Sequence, residues 1–229
     1  MSQLHRLGQV KAILFDLDGT LIEADGAAME VVLARFPGGR SLGTLLRRAM
    51  FLAEDAAHWA VILLDRLKMD DEAFRLMEFL RSVVPANDAH RPALIQGVRE
   101  LLSGLGVYYR LGLVTTRSRS RALRILQHIG LDEHFQVIVS RDDTARLKPS
   151  PEPVLYAAPA LAVAPGECLM VGDTWVDVAS AREAGAYAVA VLCGFGESRE
   201  LAGADLVLDT TGDLGPVLLG DNGLARDYS

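Results

Sequence analysis

The sequence predicts an α/β protein, a mostly parallel sheet with helices on both faces, interrupted by an all-helical insert. Three observations carry that prediction. An apolar run of strand character, Ala12-Ile13-Leu14-Phe15, delivers Asp16 and Asp18 into a glycine turn at Gly19. From residue 93 onward, segments of helical spacing alternate with short apolar runs that end in polar residues, as expected for parallel strands joined by helices. Between these regions the apolar spacing stays helical to about residue 84, and no strand candidate interrupts it.

The elements follow in order. Residues 11–15 read as a strand buried on both faces, which puts Asp16 at its carboxyl end, where open α/β sheets place their ligands. Residues 26–36 form a short amphipathic segment stopped by Pro37-Gly38-Gly39, and Ser41 offers an N-cap to a periodic run through Leu67. A third helix begins after Asp70-Asp71, whose charges suit an amino-terminal turn, and ends near Val84. A turn-rich linker bracketed by Pro85 and Pro92 then returns the chain to the core. The domain reading is therefore a core of residues 1–23 and 86–229 with an insert over 24–85. Within the core, helices are expected near 93–104, 118–129, 151–162 and 175–184, with strands at 107–115, 135–139, 168–172, 187–192 and 205–208. The tail from Gly220 is polar and expected to fray.

Composition narrows the function. Half of the 229 residues are hydrophobic, enough for a sizeable core. A net charge of −7 with no basic stripe argues against nucleic acid as the main partner and leaves a small molecule held by local cations. The two cysteines, Cys168 and Cys193, lie in or beside apolar runs, where free thiols serve as small core residues. No apolar stretch approaches the roughly 18 residues of a membrane span, and the amino terminus lacks a signal-peptide pattern, so the expected location is the cytoplasm with no membrane partner.

Four segments carry chemistry: Phe15-Asp16-Leu17-Asp18-Gly19-Thr20; the run 111–116, ending in Thr115-Thr116; the run 136–140 with the polar loop after it, ending in Lys148-Pro149; and the run 168–177, with Gly172-Asp173-Thr174 and Asp177. Each alone is weak, since a pair of acids in a turn is common. Together and in this order they resemble the motif set of the haloacid dehalogenase superfamily in its phosphatase branch, over roughly 10–23 and 92–210. A stretch from Gly194-Phe195-Gly196 to Asp205 resembles phosphoglycolate phosphatase-like members. The resemblance implies a Rossmann-like core whose helical cap lies between the first and second motifs, where the insert falls. It also implies hinges near 21–26 and 85–92 that let the cap close over the site and exclude water.

An aspartate can attack phosphorus and split one hard hydrolysis into two easier steps through an aspartyl-phosphate. The resemblance assigns that part to Asp16, and to Asp18 the general acid that protonates the leaving oxygen and the general base for the attacking water. A phosphate dianion facing a carboxylate needs a cation. Mg²⁺ takes oxygen ligands and keeps several waters, so few carboxylates suffice. Asp16 and Asp173 fit that role, with Asp18 adding its backbone carbonyl by analogy with the family. Asp177 either supports the metal waters or pairs with Lys148. Lys148 supplies a fixed positive charge to nucleophile and phosphoryl oxygens. Thr115 takes the place of the phosphate-binding hydroxyl; relatives often have Asn at the next position, which is Thr116 here. Both precede a helix whose amino-terminal N–H groups can receive phosphate. Gly19 and Arg117 complete the candidate substrate-binding residues, while Arg119, Arg121 and Arg124 read mostly as a solvated helix face. Trp175 is placed to lean over the site or to pack, and His58 and His90 read as structural.

The function expected is a Mg²⁺-dependent phosphatase acting on a small phosphorylated metabolite, as a monomer or homodimer. A phosphosugar mutase shares the core and differs chiefly in the cap, whose Arg35, Arg40, Arg47 and Arg48 either meet a second anionic group of the substrate or face water. A haloacid dehalogenase attacks carbon without a metal, which leaves Asp18, Asp173 and Asp177 unexplained. A non-catalytic relic fits poorly with intact Asp16, Asp18, Lys148 and Asp173.

Overall fold

Six strands form one sheet: β1 (Ala12–Phe15), β2 (Arg110–Val114), β3 (Val137–Val139), β4 (Cys168–Gly172), β5 (Tyr187–Val191) and β6 (Leu206–Leu208). The computed structural model describes residues 7–23, 93–196 and 198–220. The insert expected at 24–85, with Arg35, Arg40, Arg47, Arg48, His58 and His90, lies outside the described residues, as do most of the two hinges and the tail beyond Gly220. The strand order is β3-β2-β1-β4-β5-β6, and every pairing is parallel. This is the doubly wound order, in which the connections reverse direction between β1 and β4, and the crevice at the carboxyl ends of those strands is where such sheets bind ligands.

Side chains alternate along each strand, so each residue's parity decides its layer. Ile13, Phe15, Leu111, Leu113, Leu169, Val171, Val189 and Val191 face one side, where α1 (Val98–Leu105), α2 (Arg119–Ile129) and α5 (Leu214–Leu219) cover them. Ala12, Leu14, Met170, Ala188 and Ala190 face the other, beneath α3 (Glu152–Ala160) and α4 (Trp175–Glu183). That second face is lined with small residues, and Gly112 shows how closely it is packed. A Cβ there would lie 2.7 Å from Leu14 Cδ2, 2.9 Å from Val137 Cγ1 and 3.3 Å from Leu161 Cδ1. Continuous apolar runs such as 12–15 and 168–172 are completely buried, as expected for parallel strands covered on both faces.

The predicted α/β sheet with helices on both faces is borne out, and the differences are local. The helix expected from 93 begins at Val98, because Gly97 takes φ 81° and the residues before it pair with the segment after β1. There Glu23 N–H donates to the Ala93 carbonyl (2.8 Å) and Ile95 N–H to that of Leu21 (3.0 Å), so the chain leaves and re-enters the core side by side. Val107–Tyr109, read as the start of β2, is instead a turn that continues α1. Tyr108 and Tyr109 N–H both donate to the Leu105 carbonyl, and the first bond toward β1 comes from Arg110 N–H to Lys11 O (3.0 Å). Helix α5 was not anticipated, since Gly215 and Pro216 mask the spacing of Leu214 and Leu218, which are buried against α1. Both cysteines are free thiols, Cys168 buried within β4 and Cys193 half-buried. Among the described residues no helix is long and apolar enough to cross a membrane.

Gly112→Val, which adds volume where no space exists, is expected to cost roughly 1–3 kcal/mol. The urea midpoint should fall with an unchanged slope; an unchanged midpoint would mean that the α3 layer repacks freely.

Candidate active site

The ladder does not stop at the end of β1. Asp16 N–H donates to the Val171 carbonyl (2.9 Å), so the carboxylate is carried on backbone as rigid as the strand itself. Asp173 occupies the equivalent place after β4, and Thr115 the place after β2, where its N–H donates to the Val139 carbonyl (2.9 Å). Lys148 reaches the same crevice from the loop between β3 and α3. Its Nζ donates to Asp16 Oδ1 (2.6 Å), Asp177 Oδ1 (2.5 Å) and the Val114 carbonyl (3.1 Å). An ammonium has three protons, and all three are used. The side chain is 2% exposed. Burial works against its charge, but Asp16 and Asp177 outweigh it and hold the ammonium above its ordinary pKa.

Asp177 is fixed by the start of α4. Its Oδ2 accepts from Thr174 N–H (3.1 Å) and Thr174 Oγ1 (2.5 Å), the local pairing of an N-cap hydroxyl with an acid three residues on. Gly172 is required beneath it, since a Cβ there would overlap the Asp177 side chain. Asp177 thus has both oxygens engaged. Asp173 differs: Oδ2 accepts from Phe195 N–H (2.7 Å), while Oδ1 is buried with no hydrogen-bond partner.

Asp16, Asp173 and Asp177 each offer a carboxylate oxygen within 4.8 Å of the other two. All three are buried, and Lys148 is the cation that bridges two of them. Three carboxylates against one ammonium leave two negative charges in excess when all are ionised. Burial, with Asp177 and Asp18 adding to it against the pull of Lys148, pushes Asp16 up to about 7. Burial and the proximity of Asp16 and Asp177 raise Asp173 well above its ordinary value. A buried oxygen without a donor, clustered carboxylates and excess negative charge fit a hard divalent cation. Asp16 and Asp173 would hold it, since Asp177 is already committed to Lys148 and Thr174.

Asp18 stands apart from this cluster. Arg117 grips it through Nε to Oδ2 (2.6 Å) and Nη2 to Oδ1 (2.5 Å), a two-pronged pair with side chains 16% and 23% exposed. The sequence placed Arg117 near the substrate; the structure makes Asp18 its partner. Thr115 Oγ1 accepts from Arg117 N–H (3.2 Å), and Thr116 is half-buried beside it. The sequence groups Gly19 with the substrate-binding residues; in the structure its N–H donates to the Ile22 carbonyl (2.8 Å), and a Cβ there would overlap Asp173 Oδ2. A glycine is needed there to let Asp173 approach. Trp175 is 42% exposed at the first turn of α4 and so does not join the core.

Three features escaped the sequence. The Phe195 amide has no side-chain signature. Arg119, read as part of a solvated face, donates Nη2 to Asp143 Oδ1 and the Ile138 carbonyl (both 2.8 Å), while its N–H donates to Asp142 Oδ2 (2.8 Å). Asp143 Oδ2 also accepts from Ser140 N–H (2.8 Å) and Oγ (2.5 Å). The Lys148 loop is thereby clamped to the segment that carries Thr115 and Arg117. The run Asp142-Asp143 after an apolar strand was the available signal.

Fold and site define a Rossmann-like α/β protein with a lysine-bridged acidic site at the carboxyl edge of its sheet. The family model of the haloacid dehalogenase-like hydrolases matches residues 13–191. Pyrophosphatase PpaX of Bacillus cereus is 32% identical over 220 residues, covering 92% of this chain and 97% of its own. Phosphoglycolate phosphatase of Chromobacterium violaceum is 32% identical over 228 residues, covering 91% and 96%. Among solved structures, a hydrolase from Pseudomonas syringae matches with a TM-score of 0.68 at 28% identity, covering 89% of this chain and 95% of that one. CbbY from Rhodobacter sphaeroides, solved with xylulose 1,5-bisphosphate, matches with a TM-score of 0.66 at 25% identity, covering 95% and 100%. This chain belongs to the haloacid dehalogenase-like hydrolases. The expected superfamily is borne out, and with it the reading of the chain as a phosphatase-type enzyme, the activity for which these two relatives are named.

The charge excess has a pH signature. Asp16 and Asp173 bind protons more tightly folded than unfolded, so stability of the metal-free protein should fall as pH rises from about 4 through about 7. Melting in EDTA at pH 5 and pH 8 should show this fall, and Asp173→Asn, which removes one of the repelling charges, should reduce it. A divalent cation competes with those protons and should raise the melting temperature more at pH 8 than at pH 5; equal shifts would contradict the assignment.

Proposed function

We propose that the protein is a Mg²⁺-dependent phosphatase that hydrolyses a small phosphomonoester through an aspartyl-phosphate on Asp16. The observation that supports this best is the buried Lys148 ammonium, bonded to a carboxylate carried at the end of β1 and locked by a second acid, Asp177. A carboxylate so fixed has one of its oxygens tied and the other available for attack, the preorganisation that nucleophilic catalysis requires. Mg²⁺ held by Asp16 and Asp173, with the Asp18 backbone carbonyl, supplies charge neutralisation for the phosphoryl dianion.

In the first half-reaction an Asp16 oxygen bonds to phosphorus as the ester oxygen leaves, taking a proton from Asp18. In the second, Asp18 takes a proton from water, whose oxygen bonds to phosphorus and displaces Asp16, releasing inorganic phosphate and restoring both acids. Lys148 steadies Asp16 throughout, and Arg117 sets the direction of the Asp18 carboxylate. In this reading Thr115, with Thr116 beside it, offers its hydroxyl to the phosphoryl oxygens. In this reading the insert over 24–85 sets specificity, and the enzyme works in the cytoplasm as a monomer or homodimer. The names of the relatives make phosphoglycolate and pyrophosphate the first substrates to try.

The test is phosphate release from p-nitrophenyl phosphate, phosphoglycolate, pyrophosphate and a panel of sugar phosphates. Wild type with Mg²⁺ should turn over, EDTA should stop it, and Asp16→Asn should reduce it to background. Asp18→Asn should lower kcat by roughly 10²–10⁴-fold, the usual contribution of a positioned acid–base group. Conversion of a sugar phosphate to an isomer with no phosphate released would replace hydrolysis with the mutase reading.

A further inference from the structure

We infer that the Gly194-Phe195-Gly196 loop after β5 is a positioning element for the metal site, and that it makes Asp173 a ligand through one oxygen only. The inference rests on the reading of Asp16 and Asp173 as metal-binding and adds residues that the motif set does not contain. The Phe195 N–H donates to Asp173 Oδ2 at 2.7 Å, which leaves the buried and unpartnered Oδ1 as the oxygen available to a cation. That amide is the hydrogen bond that distinguishes the two carboxylate oxygens.

The loop can reach Asp173 only because side chains are missing on both sides of it. A Cβ on Gly194 would overlap Asp173 Oδ2 and lie 2.6 Å from its Cβ; a Cβ on Gly19 would overlap the same Oδ2 and lie 2.7 Å from Cγ. A Cβ on Gly196 would overlap the Asp173 carbonyl oxygen. Asp173 is fully buried, so its side chain cannot yield by swinging into solvent. These glycines therefore hold one carboxylate in one orientation, from the β1 side through Gly19 and from the β5 side through Gly194. Cys193 ties the two sides together, its Sγ donating to the Gly19 carbonyl at 3.5 Å.

Calorimetric titration of the EDTA-stripped full-length protein with MgCl₂ tests this without reference to turnover. Outer groups that orient a metal ligand are typically worth 10–100-fold in affinity, so Gly194→Ala should weaken the Mg²⁺ Kd by about that factor. Phe195→Ala keeps the amide and should leave Kd near wild type. Wild-type protein that binds no Mg²⁺ would sink the metal reading itself. Wild type that binds, with a folded Gly194→Ala that binds equally well, would overturn the positioning inference alone. A measurement on the wild type needs no variant to fold: amide exchange at Phe195. Its N–H should stay protected with and without Mg²⁺; loss of protection on loading would mean that Oδ2 leaves the amide for the metal, and the inference fails.

Discussion

The buried Lys148 ammonium, shared between Asp16 and Asp177, is the interaction on which the rest of the site depends. A buried charge is tolerated only when it is paired and fully hydrogen-bonded, and here each of the three N–H bonds goes to a different segment: the end of β1, the last residue of β2 and the first turn of α4. The lysine itself comes from the connection after β3. The ends of β1 and β2, the first turn of α4 and the loop after β3 are thus drawn to one point by one side chain. Removing it would strand two buried carboxylates at once, so the lysine fixes the acids' geometry as well as offsetting their charge.

The two layers of the sheet serve that point differently. The large-residue face under α1, α2 and α5 supplies most of the apolar burial, with Phe15, Leu102, Leu111, Leu113 and Leu126 among the fully buried side chains. The small-residue face lets α3 and α4 come close to the strands, and that closeness seats the first turn of α4 directly over Gly172. With a larger residue at 172, Asp177 could not meet Lys148. The spacing of Gly172, Asp173 and Asp177 is therefore set by packing as much as by chemistry: one residue admits the helix, one faces the crevice, and one returns from the helix to the lysine.

Much of this was legible in the sequence because it is local. Runs 12–15 and 168–172 are apolar without alternation, and only a strand covered on both faces needs that pattern. Asp16, Asp173, Lys148 and Thr115 each stand just beyond an apolar run or in the loop after it, so a parallel sheet brings them to one edge whatever its strand order. The parts that stayed hidden are those in which a partner lies far along the chain or has no side chain. Arg117 read as a substrate contact because Asp18 lies 99 residues away. Arg119 read as solvated because its partners arrive with the next strand. The Phe195 amide left no trace beyond two glycines, and α5 carried two poor helix formers in a span of six residues.

A folded core normally satisfies every buried polar group, and departures from that rule mark where function overrides stability. Among the described residues four buried side-chain atoms lack a hydrogen-bond partner, Thr20 Oγ1, His134 Nδ1, Thr144 Oγ1 and Asp173 Oδ1, and Asp173 is the one carboxylate among them. The strands carrying the acids are paired on both sides, with β1 between β2 and β4 and β4 between β1 and β5, so repulsion among Asp16, Asp173 and Asp177 cannot spread into the backbone. The repulsion persists as a local charge excess beside one unpartnered oxygen, Asp173 Oδ1. A site in this condition gains from a divalent cation what the sheet withholds, because the cation neutralises carboxylates already held in position and little reorganisation is needed when it arrives. The rigidity of the parallel sheet and the electrostatic frustration at its edge are therefore one arrangement: the first makes the second sustainable, and the second is what a divalent cation would relieve.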